Sequence, residues 1–187
     1  MQSKLKKWFL YWIVAMLAIV ICFSIFLPVK KINLEEVNFS TTQSSELYFK
    51  NMRAYFYNQS VHEEANFTLY RISSRETDTT KNKLSFLIIS NWLQSEYYIM
   101  AESGISDLSN NSLKISYENS DSSGVINLLE PNSYANYVFA AKLYFQIEKN
   151  AVLKINQQNG WIQFSESEKK SLKKTLKDYF KLVGKLR

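Results

Sequence analysis

The sequence predicts an α+β protein: a single transmembrane helix at the N-terminus, then a mainly antiparallel β-sheet or sandwich domain with two helices in its C-terminal half. Three observations predict it. Residues 8–27 are apolar and uncharged. Strand-like segments, one of them in clean period-two alternation, recur through the next hundred residues. Helical spacing takes over after Asn132.

Twenty residues (8–27) at 1.5 Å each make a helix of roughly 30 Å, the thickness of a bilayer's hydrocarbon core. Lys4, Lys6 and Lys7 precede the run, whereas only Lys30 and Lys31 follow it, with Glu35 and Glu36 close behind. Short basic flanks resist translocation, so the N-terminus is expected in the cytoplasm. Trp8, Tyr11 and Trp12 fall at that edge, where amphipathic rings favour the headgroup layer, and Pro28 ends the helix at the other. A cleavable signal peptide has a shorter apolar region ending in small residues. Residues 22–26 offer no such site, and Ile21 is too bulky to precede a lipidated Cys22. The expected organisation is a cytoplasmic basic segment (1–7), a signal-anchor helix (8–27), a linker (28–36) and an extracytoplasmic domain (37–187). Abundant Asn, Lys and Ile suit a bacterial source, which places the chain in the cytoplasmic (inner) membrane as a single-pass protein.

The part after the anchor is long enough for one domain with a real core. Cys22, inside the apolar run, is the only cysteine. The domain therefore has no disulfide and no thiol chemistry, and packing alone must hold it. Net charge is +6, unevenly spread: +5 over residues 1–31, +5 over 165–187 and −4 between. A mildly acidic body with basic ends argues against nucleic acid as a partner.

Along the domain, residues 30–40 read as a linker entering a first strand through Val37 and Phe39. The aromatic-rich segment 46–57 fits either period: Leu47, Phe49, Tyr55 and Tyr57 share a strand face, while Tyr48, Met52, Tyr55 and Phe56 fit a helix. A strand is the preferred reading, since aromatics favour strands. Residues 67–73 and 84–91 read as strands joined by the polar loop 74–83, and the Leu/Ile/Phe run in the second suits burial on both faces. Another strand follows over 96–102, after a turn near Gln94 and Ser95. Residues 113–118 alternate cleanly and pair with 125–129 across a turn at 121–124. Residues 133–149 carry Tyr134, Val138, Ala141, Tyr144 or Phe145, and Glu148 at helical spacing. Two short strands, 152–155 and 161–164, flank a turn ending at Gly160. Ser165 and Glu168 form a capping box ahead of a helix with the stripe Leu172, Leu176, Tyr179 or Phe180, and Val183, stopped by Gly184.

Catalytic signatures are sparse. His62 is the only histidine, so the two-histidine zinc motif fails, and Gly-x-Ser-x-Gly and glycine-rich phosphate loops are missing. Neither metal nor cofactor is expected. Carboxylate hydrolysis needs two acids in one cleft, and Glu63, Glu64, Glu96, Glu102, Asp107 and Glu118 are the candidates. Tyr48, Tyr55, Tyr57, Tyr70, Tyr97 and Tyr98 would suit sugar stacking, or equally a core with a half-wet rim. The C-terminal helix carries Lys169, Lys170, Lys173, Lys174, Lys177 and Lys181 opposite its apolar stripe, a face fit for anionic headgroups or an acidic protein patch. The expected function is a non-enzymatic envelope protein that binds or scaffolds another envelope protein near the membrane. A tethered carboxylate hydrolase and a glycan-binding module are the alternatives.

Overall fold

The computed structural model describes residues 8–9, 11–19, 32–74, 83–104, 113–130, 132–157 and 160–186. Packing divides the chain into two units, Met1–Lys30 and Lys31–Arg187. In the first, residues 8–9 and 11–19 are helical (α1) with their large apolar side chains exposed. Among the described residues no helix is long and apolar enough to cross a membrane. Of the expected span 8–27, Leu10 and residues 20–27 lie outside the described residues, as do Lys4, Lys6, Lys7 and Pro28.

The second unit is α+β, built on two four-stranded antiparallel sheets. It begins with helix α2 (Gln43–Tyr48), then a π turn (Phe49–Arg53) and a 3-10 turn (Ala54–Phe56). Strands β1 (Tyr57–His62), β2 (Phe67–Ile72), β3 (Ser85–Asn91) and β4 (Glu96–Glu102) form the first sheet in that order. Strands β5 (Leu113–Glu118) and β6 (Ser123–Leu128), helix α3 (Ser133–Glu148), strands β7 (Val152–Gln157) and β8 (Gly160–Gln163), and helix α4 (Glu166–Leu182) follow. The second sheet runs β6-β5-β7-β8.

Segment 46–57 is thus mainly helical, against the strand expectation. Thr42 caps α2 by accepting the Ser45 N–H at 3.2 Å, a start signal lying ahead of the ambiguous stretch. The first strand expected at Val37 and Phe39 is reduced to one bridge, Ser40 with Glu96, with Tyr97 donating its N–H to the Phe39 carbonyl at 2.8 Å.

Helix α3 lies between the sheets, against β4 on one side and β6 on the other, with α4 alongside. Tyr137, Phe139, Ala140, Ala141 and Leu143 are all essentially unexposed, whereas Tyr134 is 56 % exposed. The helix is buried over most of its circumference, and an exposed strip runs along it through Tyr134, Lys142 and Phe145. Ala140 and Ala141 let α3 approach its neighbours closely, and Asn136 ties it to β4 by accepting the Ala101 N–H at 2.9 Å. The capping box at α4 forms as expected: the Ser165 hydroxyl accepts the Glu168 N–H, and the Glu168 carboxylate accepts the Ser165 N–H at 2.7 Å.

The inner face of the first sheet carries Tyr57, Tyr70, Ile72, Phe86, Ile88, Tyr97 and Ile99 into the core. Its outer face is bridged by Arg71 on β2, whose Nη2 donates to Glu102 on β4 at 2.8 Å. That pair passes over β3 and covers Leu87, which is 1 % exposed although it points away from the main core. In the second sheet, Gly124 faces Tyr117, and a Cβ there would meet the tyrosine hydroxyl at 2.8 Å. That close approach is why glycine occupies a strand position that otherwise disfavours it.

Candidate functional site

The lysine face of α4 is the sequence's main functional hint, and tertiary contacts divide it. Lys169 pairs with Glu166 at 2.5 Å, one turn back on the same helix. Lys173 reaches Glu148 at the end of α3, 3.1 Å away. The Lys174 ammonium sits 3.4 Å from the centroid of the Phe56 ring. Burial, then the neighbouring Arg53 charge, pulls its pKa below the ordinary lysine value. Lys170 and Lys177 are exposed. Lys181 occupies the last turn, where a cation complements the helix dipole. Positions 170, 174, 177 and 181 recur at helical spacing and keep one cationic stripe on α4.

Beside that stripe packs the segment from α2 to the 3-10 turn. Its inward residues are Phe49 and Ala54, both buried, and Arg53. Its outward residues are apolar and bare: Leu47 51 %, Tyr48 49 %, Met52 60 % and Tyr55 88 % exposed. The wide π turn separates the two sets, since the Ala54 N–H reaches back five residues to the Phe49 carbonyl. Exposed large apolar groups next to a lysine stripe make a mixed surface suited to a partner with acidic and apolar groups. Sequence reasoning missed this apolar half, because reading 46–57 as a strand puts the wrong residues outside.

What fastens the two halves is also new. Asp178 on α4 accepts hydrogen bonds from Arg53 Nε at 2.8 Å, Arg53 Nη2 at 2.9 Å and the Tyr57 hydroxyl at 2.8 Å. The Asp178 bond holds the Arg53 guanidinium above its ordinary pKa. Burial, reinforced by the Asp178 charge, pushes the Tyr57 phenol far up. Asp178 flanks the apolar stripe, one residue before Tyr179, and that position was the available signal. At the other end of α4, Lys83 donates to Glu168 at 3.0 Å. Burial raises the Glu168 carboxyl, but bonds from Ser165 and Lys83 outweigh it and leave it below its ordinary value.

The carboxylate candidates sit on different elements. Glu63 and Glu64 lie in an exposed 3-10 turn after β1, and Glu118 is exposed at the end of β5. Glu96 begins β4 on the opposite edge of the sheet from β1, three strand spacings or about 14 Å across. It accepts a short hydrogen bond from the Tyr98 hydroxyl, which pushes that phenol up to about 12. Glu102 is joined to Arg71, and Asp107 lies outside the described residues. His62 is exposed at the end of β1, and among the described residues no group of His, Cys, Asp and Glu could hold a metal ion. Of the six tyrosines weighed for sugar stacking, Tyr57, Tyr70 and Tyr97 are buried and Tyr98 is half-buried. Only Tyr48 and Tyr55 stand exposed. Trp8, Tyr11 and Trp12 are exposed on α1. Compared with protein-family models, curated proteins and solved structures, the chain matches none of them.

Proposed function

We propose that this chain is a membrane-tethered binding protein of the bacterial envelope, without catalysis of its own, that holds a partner protein close to the inner membrane. The observation that carries this reading is the uncharged run 8–27, of spanning length, ahead of a unit with its own core. Three lysines before the run against two after it put the N-terminus in the cytoplasm and the folded unit outside. The contact chemistry comes from Lys170, Lys174, Lys177 and Lys181 with Tyr48, Met52 and Tyr55 beside them. An acidic patch edged by apolar groups complements that surface. Anionic headgroups would meet the same lysines at about 1 kcal/mol per charge.

Membranes from cells making the full chain test this reading directly. The protein should stay with the bilayer through alkaline carbonate washing, and added protease should digest the domain in spheroplasts but not in sealed inside-out vesicles, where only the cytoplasmic face is exposed. Reversing charge at Lys170 and Lys177 together should weaken chemical cross-linking to the partner without changing the fold. A soluble product lacking its first two dozen residues, or a domain cut only from the cytoplasmic side, would overturn the proposal.

A further inference from the structure

The first sheet has two edges, and they are treated differently. On β4, the Tyr97 N–H is taken by the Phe39 carbonyl at 2.8 Å and the Ala101 N–H by the Asn136 side chain at 2.9 Å. Two outward donors of that edge are thereby occupied. On β1, the register and one hydrogen bond fix which groups face out. Ser73 donates its N–H to the Phe56 carbonyl at 2.9 Å, which makes Phe56 and Ser73 a hydrogen-bonded pair. Bonded and non-bonded pairs alternate along an antiparallel ladder. Continuing the register, Asn58, Ser60 and His62 turn their backbone groups toward β2. Tyr57, Gln59 and Val61 turn theirs away from the sheet. The Tyr57 N–H is taken by the Ala54 carbonyl, which leaves its carbonyl and both groups of Gln59 and Val61 facing outward.

Natural edge strands are usually guarded by charge, proline, a bulge or a covering loop. The β1 sequence, Tyr-Asn-Gln-Ser-Val-His, holds no proline, lysine or acid, and its last five residues are exposed. The outward groups also have a centre of symmetry at Gln59. We propose that β1 is a self-association edge, at which a second copy of this chain adds its own β1 antiparallel about a two-fold axis through Gln59. Gln59 then faces Gln59 of the second copy, and Tyr57 faces Val61 of the second copy. About four hydrogen bonds join the backbones in that register, and the two sheets become one of eight strands. Val61, 54 % exposed in the single chain, is brought into the joined sheet beside the facing strand. Asn58 falls opposite Ser60, so no like charges meet. The two-fold pairing rests on strand geometry alone and stands whether or not the chain is tethered as proposed above.

The test uses the full chain with Cys22→Ser, which removes its only cysteine. Asn58 and Ser60 of the second copy form a non-hydrogen-bonded pair, whose Cα atoms lie about 4.5 Å apart, within disulfide reach. Asn58→Cys with Ser60→Cys should give a reducible covalent dimer on mild oxidation of membranes, and Leu129→Cys, exposed elsewhere, should not. Adding Gln59→Lys places like charges opposite one another. Gln59→Pro removes an outward donor while leaving the bonds to β2 intact, because the Gln59 N–H does not face β2. Either should lower the dimer fraction about tenfold, equivalent to about 1.4 kcal/mol. Resistance to limited proteolysis checks that each variant is folded, and if Gln59→Pro fails that check Gln59→Lys carries the comparison. Absence of the dimer, a cross-link unaffected by Gln59→Lys, or a cross-link to a different protein would overturn the inference.

Discussion

Removing the Asp178 carboxylate should be among the most destabilising single changes on α4. In Asp178→Ala, the buried Tyr57 hydroxyl and the Arg53 guanidinium lose their common acceptor. An orphaned buried hydroxyl costs about 1–3 kcal/mol. Stripping one partner from a fully buried ion pair costs about 3–5 kcal/mol. Here Arg53 is 24 % exposed while Asp178 is 5 % exposed, so the arginine turns partly to water and the upper part of that range does not apply. The expected loss is about 3 kcal/mol, which for a domain of this size lowers the melting temperature by about 6–12 °C. Tyr57→Phe leaves the arginine bonds in place and should cost about 1 kcal/mol. In the double variant Tyr57→Phe adds little, because its partner is already gone, giving a coupling of about 1 kcal/mol. Urea titration of the full chain in mild detergent, followed by circular dichroism, measures all four corners of the cycle. A loss below about 0.5 kcal/mol for Asp178→Ala, or strict additivity, would refute the assignment of this carboxylate as the fastener between α4 and the π turn.

Tyr137 offers the opposite case: its hydroxyl is buried with no hydrogen-bond partner among the described residues, so Tyr137→Phe should leave stability unchanged or raise it by about 1 kcal/mol in the same titration. Ala141→Leu inserts a large side chain where α3 has no exposed surface and should cost about 1–3 kcal/mol by overpacking. Burial raises the Tyr57, Tyr97 and Tyr179 phenols, so their contribution is fully present below the ordinary tyrosine value near 10. Stability should therefore hold to about pH 10 and fall above it, as unfolded tyrosines ionise while folded ones resist. The Lys50 hydrogen bond lowers Glu46, and bonding outweighs burial at Glu168. Their contribution is present above the ordinary carboxyl value and is lost as pH falls through the lowered ones, which acid denaturation measures.

Elements whose signals are local were legible in the sequence. The β5–β6 and β7–β8 hairpins follow from alternation and turns, and α4 begins at a cap made by two residues three positions apart. Segment 46–57 misled because aromatic residues satisfy both periods. Its helical start is set by Thr42, and its inward side by Phe49 meeting Tyr70 from β2, ring centroids 5.2 Å apart. Helix α3 was found by spacing, but the spacing did not show which of its sides are buried. Sheets on two sides of α3, with α4 alongside it, leave a strip through Tyr134, Lys142 and Phe145 exposed, and only those remote contacts decide which strip that is. For the candidate surface, the sequence supplied six lysines on one helix but neither their partners nor the apolar residues beside them.

By itself the sequence determined an uncharged apolar run of spanning length, a domain without disulfides, the strand and helix periods, and a basic last helix. Each is written in residues close together along the chain, where side-chain spacing and turn chemistry act directly. Tertiary structure alone decided which lysines reach Glu166, Glu148 and Phe56, which aromatics stand bare, and that Asp178 binds Arg53 across 125 positions. Those outcomes depend on contacts between segments remote in sequence, and periodicity carries no information about which remote segments will meet.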